Sequence, residues 1–334
     1  MALVHGFGRH GGRLGEARAA FPLAPEPWID LSTGINPRPW LGPRPTRADL
    51  ARLPDPLALR SMERVAAAAF GLTDADRIAS TAGAEAALRL LPTVTGAREA
   101  LIVGPTYGGH AEAWSASGAQ VREIATDDLA AADGEVIVLV NPNNPDGAVT
   151  PPAALLEIAE RQAGRGGWLI VDESFCDTRP QLSVAPWAGG RLVVLRSFGK
   201  FYGLAGVRLG FALGEPTLIA RLRGLLGDWP VSAEAIAAGA AYADGAWAQR
   251  ARRWLKRQAQ RLDGVLAAGG FETLGGTTLF RLTRSPHAGA WFRHLAERGL
   301  LVRPFGDQPQ WLRFGLPPVH AWPRLDQAFE EFRP

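Results

Sequence analysis

VIVLVNPNNPDGAVTPPAALLEIAERQAGRGGWLIVDES, residues 136–174, reads as strand, turn, helix and strand in that order. The apolar run 136–140 ends at Asn141-Pro142-Asn143-Asn144-Pro145-Asp146-Gly147, a string built for turns. Helical spacing follows over 152–162, with Thr150 as the expected cap and prolines near the first turn. A second apolar run, 168–171, then stops at Asp172-Glu173. Two short buried strands joined by one helix form a parallel crossover unit. Working outward, the same pattern repeats from 76 to 214. Further strand-like runs lie at 77–81, 100–104, 121–124, 192–195 and 207–213, with helical patterns at 84–91 and 111–117. Alternation of this kind predicts an α/β fold: a mostly parallel, seven-stranded sheet with helices on both faces.

The flanks differ from this centre. Residues 1–50 are rich in Gly, Pro and Arg and show little periodicity. Beyond 229, helical patterns at 232–243 and 246–268 precede short apolar segments at 278–282, 300–302 and 311–314, with helices near 288–298 and 321–332. The expected organisation is an arm over 1–50 folded across the active-site cleft, a large α/β domain over 51–230, and a small α+β domain over 231–334.

Composition narrows the class of protein. Of 334 residues, 47% are hydrophobic and 21% charged, the balance of a globular chain. No apolar run reaches the length of a membrane span. The first twelve residues carry His5, Arg9 and His10 and no apolar leader, which argues against a secretory signal. One cysteine, Cys176, excludes an internal disulfide and suits a reducing compartment, so the expected location is the cytoplasm. Six scattered histidines give no metal-ligand spacing, and no metal is expected. The net charge of +3 admits a nucleic-acid partner in principle. The densest basic cluster, Arg250 to Arg261, nevertheless lies on one helical pattern with Trp247, Trp254 and Leu255, and a solvated helix face explains it more simply. More telling, only Lys200 and Lys256 among the 36 basic residues are lysines. Where arginine supplies nearly every positive charge, a retained lysine points to chemistry that needs an amine.

Lys200 stands in Ser197-Phe198-Gly199-Lys200, just after an apolar run, and Arg208 follows eight residues later. Asn144, Asp172 and Lys200 are spaced by 28 and 28 residues, each one crossover apart, so all reach the same edge of a parallel sheet. Taken alone, the Asn-rich string is a turn, Asp-Glu a surface pair, and Ser-x-x-Lys a weak hint of a serine acyl-enzyme. That last reading lacks Ser-Asp-Asn or Lys-Thr-Gly companions. Together the residues match pyridoxal 5′-phosphate group by group: the Lys200 amine for the aldehyde, Asp172 for the pyridine nitrogen, and Asn144 for the phenolic oxygen. Ser197, Arg208 and the helix start at Gly83-Ala84-Glu85 serve the phosphate.

This ordered series resembles the fold-type I pyridoxal-phosphate enzymes of the aminotransferase class, which includes the histidinol-phosphate aminotransferases. Tyr107, in Pro105-Thr106-Tyr107, is similar to the residue whose ring stacks on the cofactor in that class. Two further features resemble the threonine-phosphate decarboxylases of cobalamin biosynthesis. One is His10-Gly11-Gly12 with Leu31-Ser32-Thr33-Gly34-Ile35-Asn36-Pro37; the other is Val302-Arg303-Pro304-Phe305-Gly306 with Trp311-Leu312-Arg313-Phe314-Gly315. The resemblance implies catalytic Lys200 and Asp172, and substrate contacts from His10, Gly11, Gly12, Gly34, Asn36, Asn144, Arg303 and Arg313. It also implies a homodimer. Two positions depart from the class: Phe175 stands where many members have a tyrosine, and Leu53-Pro54-Asp55 replaces a Tyr-Pro-Asp segment that reaches across subunits.

The expected activity is decarboxylation of a small phosphorylated amino acid, L-threonine O-3-phosphate, with no nucleic-acid or membrane partner. The same residues also serve a histidinol-phosphate-type aminotransferase. Which bond at Cα breaks depends on which one aligns with the cofactor's π system, and residue identity alone leaves both reactions open.

Overall fold

The computed structural model describes residues 7–8 and 10–333. His5 and Arg9, two of the N-terminal charges, lie outside the described residues. In chain order the strands are β1 (Ile29–Asp30), β2 (Ile78–Thr81), β3 (Glu99–Gly104), β4 (Gln120–Ala125), β5 (Val136–Val140), β6 (Trp168–Asp172) and β7 (Leu192–Ser197). They continue as β8 (Gly210–Leu213), β9 (Glu272–Thr277), β10 (Phe280–Arg284), β11 (Leu300–Leu301), β12 (Arg303–Pro304) and β13 (Trp311–Gly315). The contacts divide the chain into two units. One holds residues 40–144 and 148–248; the other holds the described residues up to Pro39, residues 145–147, and those from Gln249 onward.

The larger unit is built on a seven-stranded sheet of order β2-β8-β7-β6-β5-β3-β4. β3 to β7 run parallel, while β8 is antiparallel to both β7 and β2. The apolar runs contain no alternation because both faces are covered. Val136, Val138, Ile170, Val193 and Leu195 join one cluster with Leu88, Leu91, Trp114 and Leu222 from three helices. The intervening Ile137, Leu139, Leu169 and Val171 are equally buried. At roughly 1.5–3 kcal/mol for each large apolar side chain removed from water, this double burial supplies most of the sheet's stability.

The smaller unit carries the antiparallel sheet β12-β13-β10-β9, and β1 pairs in parallel with β11. Phe271, Trp291, Phe314 and Phe329 pack edge-on and tilted against one another over that sheet. The strand expected over 278–282 is part of the β9–β10 hairpin.

Several boundaries shift for identifiable reasons. The division falls at 39/40 and 248/249 rather than at 50/51 and 230/231. The segment after 231 stays with the larger unit because Tyr242 packs its ring against Phe70, Phe198 and Phe211. Thr150 does not cap the helix Pro152–Gly164: its backbone N–H and C=O both bond the Asn141 side chain, and no side chain caps that helix. Pro151 and Pro152 have no N–H, so fewer donors there need capping. The strand expected over 207–213 begins only at Gly210, because Arg208 adopts a left-handed backbone with φ 58°. Helices Pro56–Ala69 and Pro216–Leu226 went unread in the sequence; the first starts at a proline, with Asp55 accepting from the Leu57 N–H at 2.9 Å. Among the described residues, no helix is long and apolar enough to cross a membrane.

Candidate active site

Within the larger unit, strand direction gathers the predicted residues. β5, β6 and β7 are parallel, so Asn144, Asp172 and Ser197 all follow or close their strands at one edge of the sheet. β8 runs the other way and therefore starts at that edge, its Gly210 paired with both Ser197 and Thr81. This reversal brings Arg208 to the edge where the parallel strands finish. A cavity of about 240 Å³ opens there, lined by Ala84, Glu85, Tyr107, Asn144, Asp172, Ser197, Lys200 and Arg208. Every predicted cofactor residue lines it except Gly83, which lies just behind.

Asp172 is 5% exposed. Its Oδ1 accepts from the Ser174 N–H at 2.9 Å and the Ser174 hydroxyl at 2.5 Å. His110 Nε2 stands 3.0 Å from Oδ2, and since a carboxylate only accepts, the shared proton belongs to Nε2. Burial pushes the Asp172 carboxyl up, but the His110 and Ser174 bonds outweigh it and hold it below the ordinary aspartate range. A carboxylate kept ionised in a buried cavity is suited to pairing with a protonated ring nitrogen.

One corner of the cavity is shaped by missing side chains. Gly83 has φ 83°, and a Cβ there would collide with the Arg208 guanidinium; a Cβ on Gly210 would strike the Ala84 backbone N. The helix Ala84–Thr95 starts at this point with no side-chain cap, leaving its first N–H groups for an anion. Ser197 and Arg208 line the same corner. Opposite, Lys200 sits on the short helix Phe198–Phe201, its Nζ 5.9 Å from the centre of the buried Phe175 ring. Gly199 is required because a Cβ there would press on the Ala205 backbone. An uncapped helix start beside an arginine and a serine, an amine, and an ionised buried carboxylate fit pyridoxal 5′-phosphate.

Glu173, adjacent to Asp172, plays a different part. Its carboxylate is fully buried and accepts from Arg196 Nη1 at 2.5 Å, the Ser183 hydroxyl at 2.5 Å and the Val184 N–H at 2.6 Å. Arg196 also pairs with Asp177 and lies over the Phe70 ring. Burial opposes the charge on Arg196, yet the two carboxylates raise its pKa. The network fastens β6 to β7 directly behind Asp172 and Ser197. Cys176 is buried beside it, and its thiol is pushed up by that burial, so it is packed rather than reactive. Lys256 is exposed on its helix.

The predicted substrate residues other than Asn144 lie in the smaller unit. Gly11 fits only because it has no Cβ, which would overlap the Ser32 carbonyl. Gly12 has φ 84° and donates its N–H to the Ser32 hydroxyl at 2.8 Å. Ser32 in turn donates to Asp30 Oδ1 at 2.6 Å, and its carbonyl accepts from Arg313 Nη2 at 2.8 Å. Ser32 thus joins the Gly11-Gly12 loop to Arg313, a role that residue type alone did not disclose. His10 is half-buried ahead of this loop, and Gly34 is buried beyond it. Asn36 is buried too, and its Oδ1 accepts from the Arg38 N–H at 2.9 Å. Arg303 and Arg313 are register partners on β12 and β13. Burial and the neighbouring charge of Arg303 lower the Arg313 pKa well below its usual value. His110, Ser174 and Ser32 are site residues that sequence reasoning missed. Their signals were faint: an i+3 spacing from Tyr107, and places inside already quoted segments.

The chain is similar to known proteins over most of its length. Residues 46–332 match the family described as aminotransferase class I and II. Over 329 residues the chain is 41% identical to the threonine-phosphate decarboxylase of Pseudomonas aeruginosa, covering 97% of this chain and 98% of that one. It is 42% identical to the threonine-phosphate decarboxylase of a Sinorhizobium species, over 94% and 95% of the two chains. The fold is similar to that of histidinol-phosphate aminotransferase from Sinorhizobium meliloti in complex with pyridoxal-5′-phosphate, with TM-score 0.80 and 19% identity over 96% of each chain. Matched from near its start to its end by one family, and by relatives over almost their whole length, this chain belongs to aminotransferase class I and II.

Proposed function

We propose that this chain uses pyridoxal 5′-phosphate to decarboxylate L-threonine O-3-phosphate, releasing carbon dioxide and (R)-1-amino-2-propanol O-2-phosphate, a step of cobalamin biosynthesis. The observation that carries this reading is the opposed pair Arg303 and Arg313, partners in register on β12 and β13. Like charges directly opposite on neighbouring strands are unfavourable unless an anion lies between or beside them. Asp30 offsets only part of that charge, so a substrate with two anionic groups, an α-carboxylate and a phosphate, suits the pair. The relatives named threonine-phosphate decarboxylase support the same substrate.

When bound, the cofactor accepts the electron pair that remains at Cα as a bond to that carbon breaks. Asp172 keeps a proton on the pyridine nitrogen, its own carboxylate held ionised by Ser174 and His110. The helix start at Ala84, with Ser197 and Arg208, holds the phosphate and so fixes the ring. Asn144 donates to the phenolic oxygen, without a tyrosine at position 175 to assist. His10, Asn36, Arg303 and Arg313 hold the substrate's phosphate and orient its carboxylate for departure. Lys200 would deliver a proton to Cα in place of the departing carbon dioxide.

Two further parts of the reading concern assembly and place. Leu41, Leu50, Leu53 and Leu57 expose 83%, 61%, 67% and 77% of their surface within one short segment, as expected if a second copy covers them in a homodimer. The single cysteine suits the cytoplasm. The activity is tested with carboxyl-labelled L-threonine O-3-phosphate and no 2-oxo acid: labelled carbon dioxide is expected. Activity confined to L-histidinol phosphate plus 2-oxoglutarate overturns the reading in favour of the aminotransferase.

A further inference from the structure

Glu85 lines the cofactor cavity, yet the phosphate needs only its backbone N–H. Its side chain makes a separate connection. Tyr107 donates its hydroxyl to Glu85 Oε2 at 3.1 Å, and Arg89 Nε donates to Glu85 Oε1 at 2.7 Å. Arg89 also reaches Glu112 at 3.5 Å, on the helix that follows Tyr107. The Tyr107 ring also packs perpendicular to that of His110, with centroids 6.1 Å apart and planes at 87°. Two groups thus fix a ring whose own torsion about Cβ–Cγ is soft.

We propose that Glu85 is a positioning residue, which sets the plane of Tyr107 over the cofactor and ties that plane to the helix start holding the phosphate. This rests on the cofactor reading above. The alternative is that Glu85 serves only its i,i+4 pair with Arg89, which is worth no more than a few tenths of a kcal/mol on an exposed helix face. Three observations favour positioning. Glu85 presents both oxygens, one to each partner, so its rotamer is set by Arg89 and its free edge is aimed at the phenol. The carboxylate sits in the first turn of Ala84–Thr95, where the helix dipole favours its charge. The phenol responds to it: burial, then the Glu85 carboxylate, push the Tyr107 pKa up to about 12, so the hydroxyl remains a donor at any working pH. A tyrosine used only as a stacking face would have no need of this bond, and phenylalanine would serve.

The test uses holoenzyme and two readouts: the rate of cofactor dissociation into a trap, and the visible circular dichroism of the bound chromophore, which depends on the asymmetry of its surroundings. Retention of the chromophore by the wild-type protein is the prior condition, and its failure rejects the cofactor reading rather than this one. The bond holds the ring and not the cofactor itself, so only part of its strength reaches the cofactor, and dissociation about three- to tenfold faster is expected. Tyr107→Phe and Glu85→Ala are expected to show that change to a similar extent, with the same altered dichroism. The double variant should be no worse than either single one, because both remove one interaction. Glu85→Gln has one accepting oxygen for two donors, though its NH2 can also meet the phenol oxygen, so it should recover part of the difference between Glu85→Ala and wild type. Additive effects in the double variant, or unchanged dichroism in a folded Glu85→Ala protein, overturn the proposal. Glu85→Gln behaving as Glu85→Ala overturns it too.

Discussion

Arg303 and Arg313 face each other across the antiparallel β12–β13 pair, and Arg313 is 4% exposed. Each guanidinium lies near an aromatic face, Arg303 4.7 Å from the Phe305 centroid and Arg313 5.1 Å from that of Phe280. Asp30 offsets part of this charge, but the net effect on Arg313 is still a lowered pKa. Such an arrangement is suited to a multiply charged ligand. Arg303→Ala should therefore raise KM for L-threonine O-3-phosphate by about 30- to 100-fold, the loss of one charge-assisted contact, while leaving cofactor affinity within about twofold. Steady-state kinetics and a cofactor titration on the same variant separate the two. Equal loss in both assigns Arg303 to the fold of its unit instead.

Lys200 is expected to carry the cofactor. Borohydride reduction of the holoenzyme should fix one chromophore to the peptide containing Lys200, and Lys256→Ala should leave that label intact. Peptide mass spectrometry reads the outcome directly; label on Lys256 refutes the assignment.

The carboxylate of Asp172 sets a pH limit. Its folded pKa lies below the unfolded one, so its contribution is complete above the ordinary aspartate value of about 4 and is lost as pH falls through the lowered folded value. His110→Ala removes a bond to the ionised form and leaves burial to dominate. The acid limb of kcat should then move to higher pH, with the neutral-pH rate reduced less than in Asp172→Ala, which should lose at least about 100-fold. A pH–rate profile that does not move in His110→Ala contradicts this role for the histidine.

Behind the site, Glu173→Ala should cost about 3 kcal/mol of stability, because Arg196, 3% exposed, would keep only Asp177 as a charged partner. Denaturant unfolding of the holoenzyme measures it. A change below about 1 kcal/mol would mean that solvent replaces Glu173 and the network is not closed.

Much of the larger unit was legible because its strands are buried on both faces and so read as unbroken apolar runs ending in Asn, Asp or Ser. Asn144, Asp172 and Lys200 could be placed at one edge from spacing alone, since parallel crossovers force it. The direction of β8 could not be read from its own residues, and it depends on which neighbour it pairs with. His110 was hidden because its bond to Asp172 spans 62 residues and leaves no local pattern. Glu173 stood next to Asp172 in the same motif, yet the strand's alternation sends its side chain to Arg196 instead of the cavity. In the smaller unit, short strands of two residues carry no periodicity, so the Arg303–Arg313 register was visible only in three dimensions.

In the proposed reaction the bond from Cα to the carboxylate breaks while the Cα–H bond survives. L-Threonine O-3-phosphate deuterated at Cα tests this in ordinary water, without a 2-oxo acid, with products analysed by mass spectrometry. The predicted product is 1-amino-2-propanol phosphate that keeps its deuterium and has gained one solvent hydrogen at the same carbon. A keto product, or an amine product from which the deuterium has been lost, would contradict it.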